Sequence, residues 1–240
     1  MVMSGCGAAR EQGSRLGRRL GKGEFRVVNL REDDGIRTDM RRALLEAALA
    51  MIDEAEGCRG VTLRAIAARA GCAHTNVYNY FPSLESLFWE SLLEAQSRSM
   101  EFMRRHVAQE VPGSPEVFSA LVSARIEFAL THPGWYRLTW LEPISKDVPP
   151  EVLSRLRRPR EEVSTGMIHP VLGAGVSRDE ARRITDILHS YVHGEICKLI
   201  TQRDLAHHEP ADPRRTVENA FMLLRLLKAD ITRTTDLGTP

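Results

Sequence analysis

From Arg37 onward the apolar residues of this 240-residue chain recur at the spacing of helix faces. That periodicity limits the open folds more than any other feature. Met40, Leu44, Ala47, Ala48, Met51 and Ile52 fall at i, i+4, i+7, i+8, i+11 and i+12, one helix face ending near Glu54–Gly57. Thr62 is placed to cap a short amphipathic helix through Leu63, Ile66, Ala67 and Ala70, and Gly71 stops it. Residues 73–80 leave room for two helical turns. Pro82-Ser83 punctuates the chain, and Ser83 opens a helix through Leu84, Leu87, Phe88, Leu92 and Ala95 to about His106. Ser114-Pro115 reads as a cap followed by Pro at the first helical position, leading through Val117 and Leu121 to Leu130. Pro133-Gly134 breaks that helix before an aromatic-rich piece, Trp135–Trp140. A helix from Glu151 to about Ile168 follows a loop marked by Pro143, Pro149 and Pro150. Ser177 and Glu180 fit a capping box. The helix they open carries Ile184, Ile187, Leu188, Tyr191, Val192 and Ile196, and Asp212-Pro213 starts the last one. No β-hairpin signal and no repeat is legible, so the predicted class is all-α with about nine helices.

The formal net charge is only +1. It excludes a polybasic coat or an acidic tail, but charge can still be segregated locally. Residues 1–36 hold seven Gly and seven basic residues against five acidic ones, and read as a flexible basic arm. Such an arm could reach a minor groove, or it could be an unstructured extension or an over-long start. Cys6, Cys58, Cys72 and Cys197 form no C-x-x-C pair, which argues against a zinc ribbon or a redox motif. With no secretory signal and no membrane-length apolar run, a cytoplasmic protein is expected.

Residues 57–82 read GCRGVTLRAIAARAGCAHTNVYNYFP. Two short helices joined at Gly71 match helix-turn-helix geometry, in which the second helix enters the major groove. The stretch contains Arg59, Arg64 and Arg69 and no acidic residue. That suits a surface facing phosphates. His74, Thr75, Asn76, Tyr78, Asn79 and Tyr80 crowd the second helix with hydrogen-bonding groups. Asn76 and Asn79 suit adenine, and Thr75 suits thymine or a phosphate. The tyrosines are expected to offer hydroxyls to phosphates while their rings pack inward, with Val77 and Phe81 in the core. Thr62 and Arg64 complete the candidate DNA-binding set. The plain alternative is a short polar surface helix between two core helices.

This stretch resembles the N-terminal domain of the TetR family of transcriptional regulators. The resemblance rests on Ala47-Ala48, Gly57, Thr62, Ile66-Ala67, Ala70-Gly71, Tyr78 and Phe81, then Ser83, Glu85 and Leu87, in unbroken register over about residues 37–95. Two positions depart from it. Ala73 stands where the family usually has a Ser cap, and Leu84 where it usually has a phosphate-contacting Lys. The resemblance implies a helix-turn-helix domain over residues 37–97, formed of three helices. It implies a larger helical domain over 98–240 for effector binding and dimerisation. Thr131-His-Pro-Gly-Trp-Tyr-Arg-Leu138 and His193-Gly194 look like segments common in the family's C-terminal domains.

A homodimer through the last two helices (about 178–203 and 213–230) would present two recognition helices to a palindromic operator on double-stranded DNA. An effector of unknown identity would bind among Phe128, Trp135, Tyr136, Trp140, Met167, His189 and Tyr191, although any one of these could simply fill the core. His189 and His193 share a helix face, but no acid or Cys is placed beside them, so no metal is expected. No catalytic triad, P-loop or dinucleotide fingerprint is legible, so neither an enzyme nor a cofactor is expected. A helical carrier or enzyme remains the rival class. Within the regulator reading, sequence leaves repression and activation open.

Overall fold

The computed structural model describes residues 30–202 and 212–237, with side chains described for 37–202 and 212–231. Residues 1–29, 203–211 and 238–240 lie outside the described residues. The chain divides into two compact units, Met1–Arg37 and Thr38–Pro240, and every contact below lies in the second. Nine α-helices are present among the described residues. They are α1 (Leu30–Glu54), α2 (Leu63–Arg69), α3 (Leu84–Val107), α4 (Pro115–Thr131), α5 (Pro133–Trp140), α6 (Pro150–Glu161), α7 (His169–Leu172), α8 (Arg178–Thr201) and α9 (Pro213–Leu237). The first helix therefore begins at Leu30, inside the segment read from sequence as an arm ending at residue 36.

Local chemistry sets most boundaries. The Thr62 hydroxyl accepts from the Ala65 amide at the start of α2. Ser83 and Ser86 cap α3 reciprocally, and Ser177 with Glu180 does the same for α8. Two segments depart from the α-helices that periodicity predicts. Residues His74–Asn79 form a 3₁₀ helix whose cap residue, Ala73, makes no side-chain cap bond. The helix expected from Glu151 to Ile168 changes pitch after α6, and Glu162–Ile168 is π-helical before α7 resumes. Pro159 inside α6 lacks an amide hydrogen, which weakens the regular ladder next to the change of pitch.

The buried apolar residues fall into two clusters. One, in the N-terminal head, gathers Leu44, Ala48, Ile52, Ile66, Val77, Phe81 and Leu87. The other, in the body, gathers Met100, Phe118, Leu121, Ile168, Ile184, Leu188 and Ile196. Helix α3 belongs to both, its first half to the head and Met100 and Met103 to the body. The head cluster also takes in Phe128, Trp135, Leu138 and Val152, all from beyond α3. It is not closed by its own three helices.

Helix α5 makes that closure. Trp135 donates from Nε1 to the Leu49 carbonyl at 2.8 Å. His132 Nδ1 meets Asp53 Oδ2 at 2.7 Å, and its ring stacks on Trp135 with centroids 4.0 Å apart. Just past α5, Glu142 accepts from the Cys58 amide at 2.6 Å. The approach is possible only because residue 134 lacks a side chain. A Cβ there would fall on the Ile52 carbonyl oxygen and within 2.7 Å of the Asp53 Cα. Gly134→Ala should therefore lower stability by about 1–3 kcal/mol, the usual range for overpacking against rigid backbone. Denaturant unfolding checks this; an unchanged midpoint would mean that α5 is not held against α1.

Candidate DNA interface and ligand cavity

The 3₁₀ pitch determines which side chains of His74–Asn79 face outward, because residues i and i+3 eclipse at three residues per turn. His74, Val77 and Tyr80 form one row; Val77 is fully buried and Tyr80 half-buried. Thr75 and Tyr78 form an exposed row. Asn76 and Asn79 form the third, and Asn79 Nδ2 donates to Asn76 Oδ1 at 2.7 Å. The two amides thus present a joined unit. Tyr78 is 52 % exposed and sits edge-on to His74, with ring centroids 5.6 Å apart. Its ring was expected to pack inward, but the tighter pitch places it outside while Val77 and Phe81 fill the core.

Arg59 and Arg64 are exposed beside this element, as is Thr62. The third arginine of the acid-free stretch differs. Arg69 is bound through both terminal nitrogens to Glu54 of α1, at 2.6 and 2.7 Å. Its charge is therefore partly neutralised by an acid that lies outside the stretch. Leu84 packs against the head core.

A cavity of about 660 Å³ lies in the body, walled by α3, α4, α5, α6, the π segment and α8. Met100, Met103, Phe118, Leu121, Leu188 and Val192 give it apolar walls. Of the seven effector candidates read from sequence, Trp140 and His189 line it. Phe128 and Trp135 instead line a separate cleft of about 400 Å³ with Arg98, Phe102 and His132. Tyr136 is buried with its hydroxyl 2.6 Å from His193 Nδ1. Met167 is a core residue, and Tyr191 is half-buried against the body cluster. The cavity also holds Thr139, Arg125, Arg157, Arg160 and Asp186, which the sequence reading did not single out. Arg125 carried a signal that could have found it. It falls on the stripe Phe118, Leu121, Val122, Phe128 and Ala129, all buried, so a cation sits on an apolar helix face.

Residues 44–90 match the model described as bacterial regulatory proteins, tetR family, and residues 118–224 match that of the tetracyclin repressor-like C-terminal domain. The chain belongs to the TetR family. It is 28 % identical over 102 residues to the nucleoid occlusion factor SlmA of Marinomonas sp. (strain MWYL1), covering 42 % of this chain and 51 % of that protein. The chain thus spans about half the length of that curated relative. A protein of unknown function from Rhodococcus sp. RHA1 superposes with a TM-score of 0.64 at 21 % identity, covering 78 % of this chain and 94 % of the other. A TetR-family transcriptional regulator from Streptomyces coelicolor gives 0.57 at 15 % identity, covering 80 % and 99 %. These structural likenesses concern the fold.

Within this TetR-family chain, electrostatics separate the head from the cavity. Burial and the nearby Glu142 carboxylate push the Cys58 thiol up to about 12, which leaves it a poor nucleophile and a poor oxidant sensor. In the body, His189 and His193 stack in parallel with centroids 5.9 Å apart. His193 is held between the Tyr136 hydroxyl and Cys197 Sγ at 3.7 Å. No group of three metal-ligating side chains occurs among the described residues, and none of their helices is long and apolar enough to cross a membrane.

Burial, followed by the positive charge of Arg125, pulls His189 down to about 3 from an ordinary 6.5. Between those values the unfolded chain binds a proton that the folded chain refuses, so stability falls as pH drops through that window. His189→Gln should flatten this acid sensitivity. Thermal unfolding at pH 7 and pH 5 measures it: the wild type should lose more stability on acidification than the variant, and equal losses would contradict the assignment.

Proposed function

We propose that this TetR-family protein is an operator-binding repressor that a small molecule releases, and that it acts by binding, without catalysis, in the cytoplasm. The observation that carries the reading is the two-sided position of α5. One side, through Gly134, Trp135 and His132, grips α1 of the head. The other side lends Thr139 and Trp140 to the cavity. A molecule that displaces Trp140 must move the helix that seats the head. If the cavity and the DNA-binding head are coupled in this way, operator binding must weaken ligand binding by the same factor.

DNA recognition is assigned to the 3₁₀ helix and its flanks. His74, Thr75, Asn76 and Asn79 read base edges; Thr62, Arg64, Tyr78 and Tyr80 contact the backbone. Two such elements reach successive major grooves if the protein is a two-fold dimer, with half-sites about one helical turn apart. Helices α8 and α9 support that assembly. Each buries one face inward, through Ile184, Leu188 and Val192 on α8 and Ala220 and Leu224 on α9. Each also exposes apolar surface on another face, α8 at Ile187, 40 % exposed, and α9 at Met222 and Leu226, 56 % and 61 % exposed. An apolar stripe on two adjacent helices suits an isologous four-helix interface.

In vitro selection from random duplexes should yield an inverted repeat. On that sequence Asn79→Ala or His74→Ala should lose discrimination by about 1–3 kcal/mol per base pair read. Arg64→Ala should weaken all sequences alike and reduce the salt slope by about one phosphate contact. Competition binding at several salt concentrations separates the two behaviours. Recovery of no enriched sequence, or full discrimination by the Asn79 and His74 variants, would refute the assignment.

A further inference from the structure

The cavity contains a charge that the protein itself does not neutralise. Arg125 rises from α4 into the lining, and its Nε and Nη2 are shut off from water with no hydrogen-bond partner. Its guanidinium lies over the Trp140 ring at 5.3 Å and beside the Tyr136 hydroxyl, a neutral group. Among the described residues no carboxylate stands within ion-pair distance of it. The one acid in the lining, Asp186, is engaged by Arg160 at 2.6 Å. The lining thus holds three guanidinium groups, of Arg125, Arg157 and Arg160, against a single carboxylate.

Burial works against this cation, yet a guanidinium does not lose its proton in a protein. A buried charge without a counter-ion costs several kcal/mol. The two unsatisfied N–H groups, Nε and Nη2, lie along one edge of the guanidinium plane and are covered by neighbouring side chains, so a ligand oxygen reaches them once those side chains shift. That edge is the fork that takes both oxygens of a carboxylate side by side. His189, kept neutral beside it, can donate or accept one further hydrogen bond. Beyond this polar end the walls are Met100, Met103, Phe118, Leu121, Leu188 and Val192, which offer nothing but apolar contact.

We propose that the ligand of this cavity is an amphipathic organic monoanion, with its carboxylate on the Nε–Nη2 edge of Arg125 and its apolar body against the methionine- and leucine-lined wall. The proposal rests on reading the cavity as the effector site, and adds the chemical class of what enters it. A cationic amphiphile of the same shape leaves the Arg125 fork unsatisfied and a neutral one brings only an uncharged acceptor, so the cavity discriminates by charge rather than by length. A space of about 660 Å³ lies in the usual range for a drug-sized ligand.

The test uses the full-length protein and three ten-carbon probes, decanoate, decanol and decylamine, titrated calorimetrically at fixed ionic strength. Decanoate should bind saturably and at least tenfold more tightly than decanol, with decylamine weakest. Arg125→Met should lose that advantage, so that decanoate binds no more tightly than decanol. Arg125→Lys, which keeps the charge but not the fork, should lose most of it. Independently of any ligand, Arg125→Met should melt higher than the wild type, because it removes an uncompensated buried cation; a lower melting temperature would make Arg125 a structural residue and overturn the proposal. Equal affinity for decanoate and decanol overturns the anionic-head assignment and leaves the cavity reading standing. Saturable binding of none of the probes ends both.

Discussion

The indole of Trp135 is the contact on which the rest of this molecule depends. The head is built from α1, α2, the 3₁₀ helix and the first half of α3, too little chain to bury a self-sufficient core. Its apolar cluster is completed by Trp135 and Leu138 of α5 and by Phe128 of α4. Burying an indole removes on the order of 200 Å² from water, which contributes roughly 5 kcal/mol at about 25 cal/mol per Å². The indole N–H also satisfies the Leu49 carbonyl at 2.8 Å, and the His132–Asp53 contact lies against the same ring. The head is therefore fixed to the body by α5 as well as by α3, which runs continuously from one cluster into the other. Glu142 extends the clasp by binding the Cys58 amide in the loop that follows α1.

That arrangement ties the head to a wall of the cavity. Helix α5 has eight residues, so the group that touches α1 and the group that touches the cavity are less than two turns apart. Trp135 is seated in the head core, whereas Trp140 is 41 % exposed at the cavity with the Arg125 guanidinium over its ring. A rigid element this short cannot shift at one end without moving at the other. The cavity in turn stores an unfavourable term, the unpaired Arg125 charge, which an entering anion would remove. Ligand entry and rearrangement around Trp140 would then draw on the same free energy.

The residues explain how far the sequence could be read. The helices and their caps were legible because Thr62, Ser83 and Ser177 act locally, and the stripes they precede have a clear helical period. The 3₁₀ pitch of His74–Asn79 was not, since six residues with Val77 as their one aliphatic side chain carry no period of their own. The π segment after Pro159 was masked by an apolar spacing that serves either pitch. Among the ligand candidates, aromatic residues drew the attention. Phe128 and Trp135 turn out to serve the clasp with the head, which no local pattern records because their partners lie about 80 residues earlier in the chain. Arg125 interrupts a buried apolar stripe of α4, a signal that marks a buried cation but not the cavity it lines. The helix of origin at Leu30 was obscured by a glycine and three consecutive acids in an otherwise basic stretch.

The central claim is that the DNA-reading element and the cavity are one mechanical unit joined through α5. Amide hydrogen exchange on the full-length protein, with and without its selected operator duplex, tests this without any knowledge of the effector. Operator binding should change protection in residues 133–140 and in the cavity-lining turns of α4 and α8, as well as across residues 62–83. Changes confined to residues 62–83 would contradict the account and leave the cavity unconnected to DNA binding.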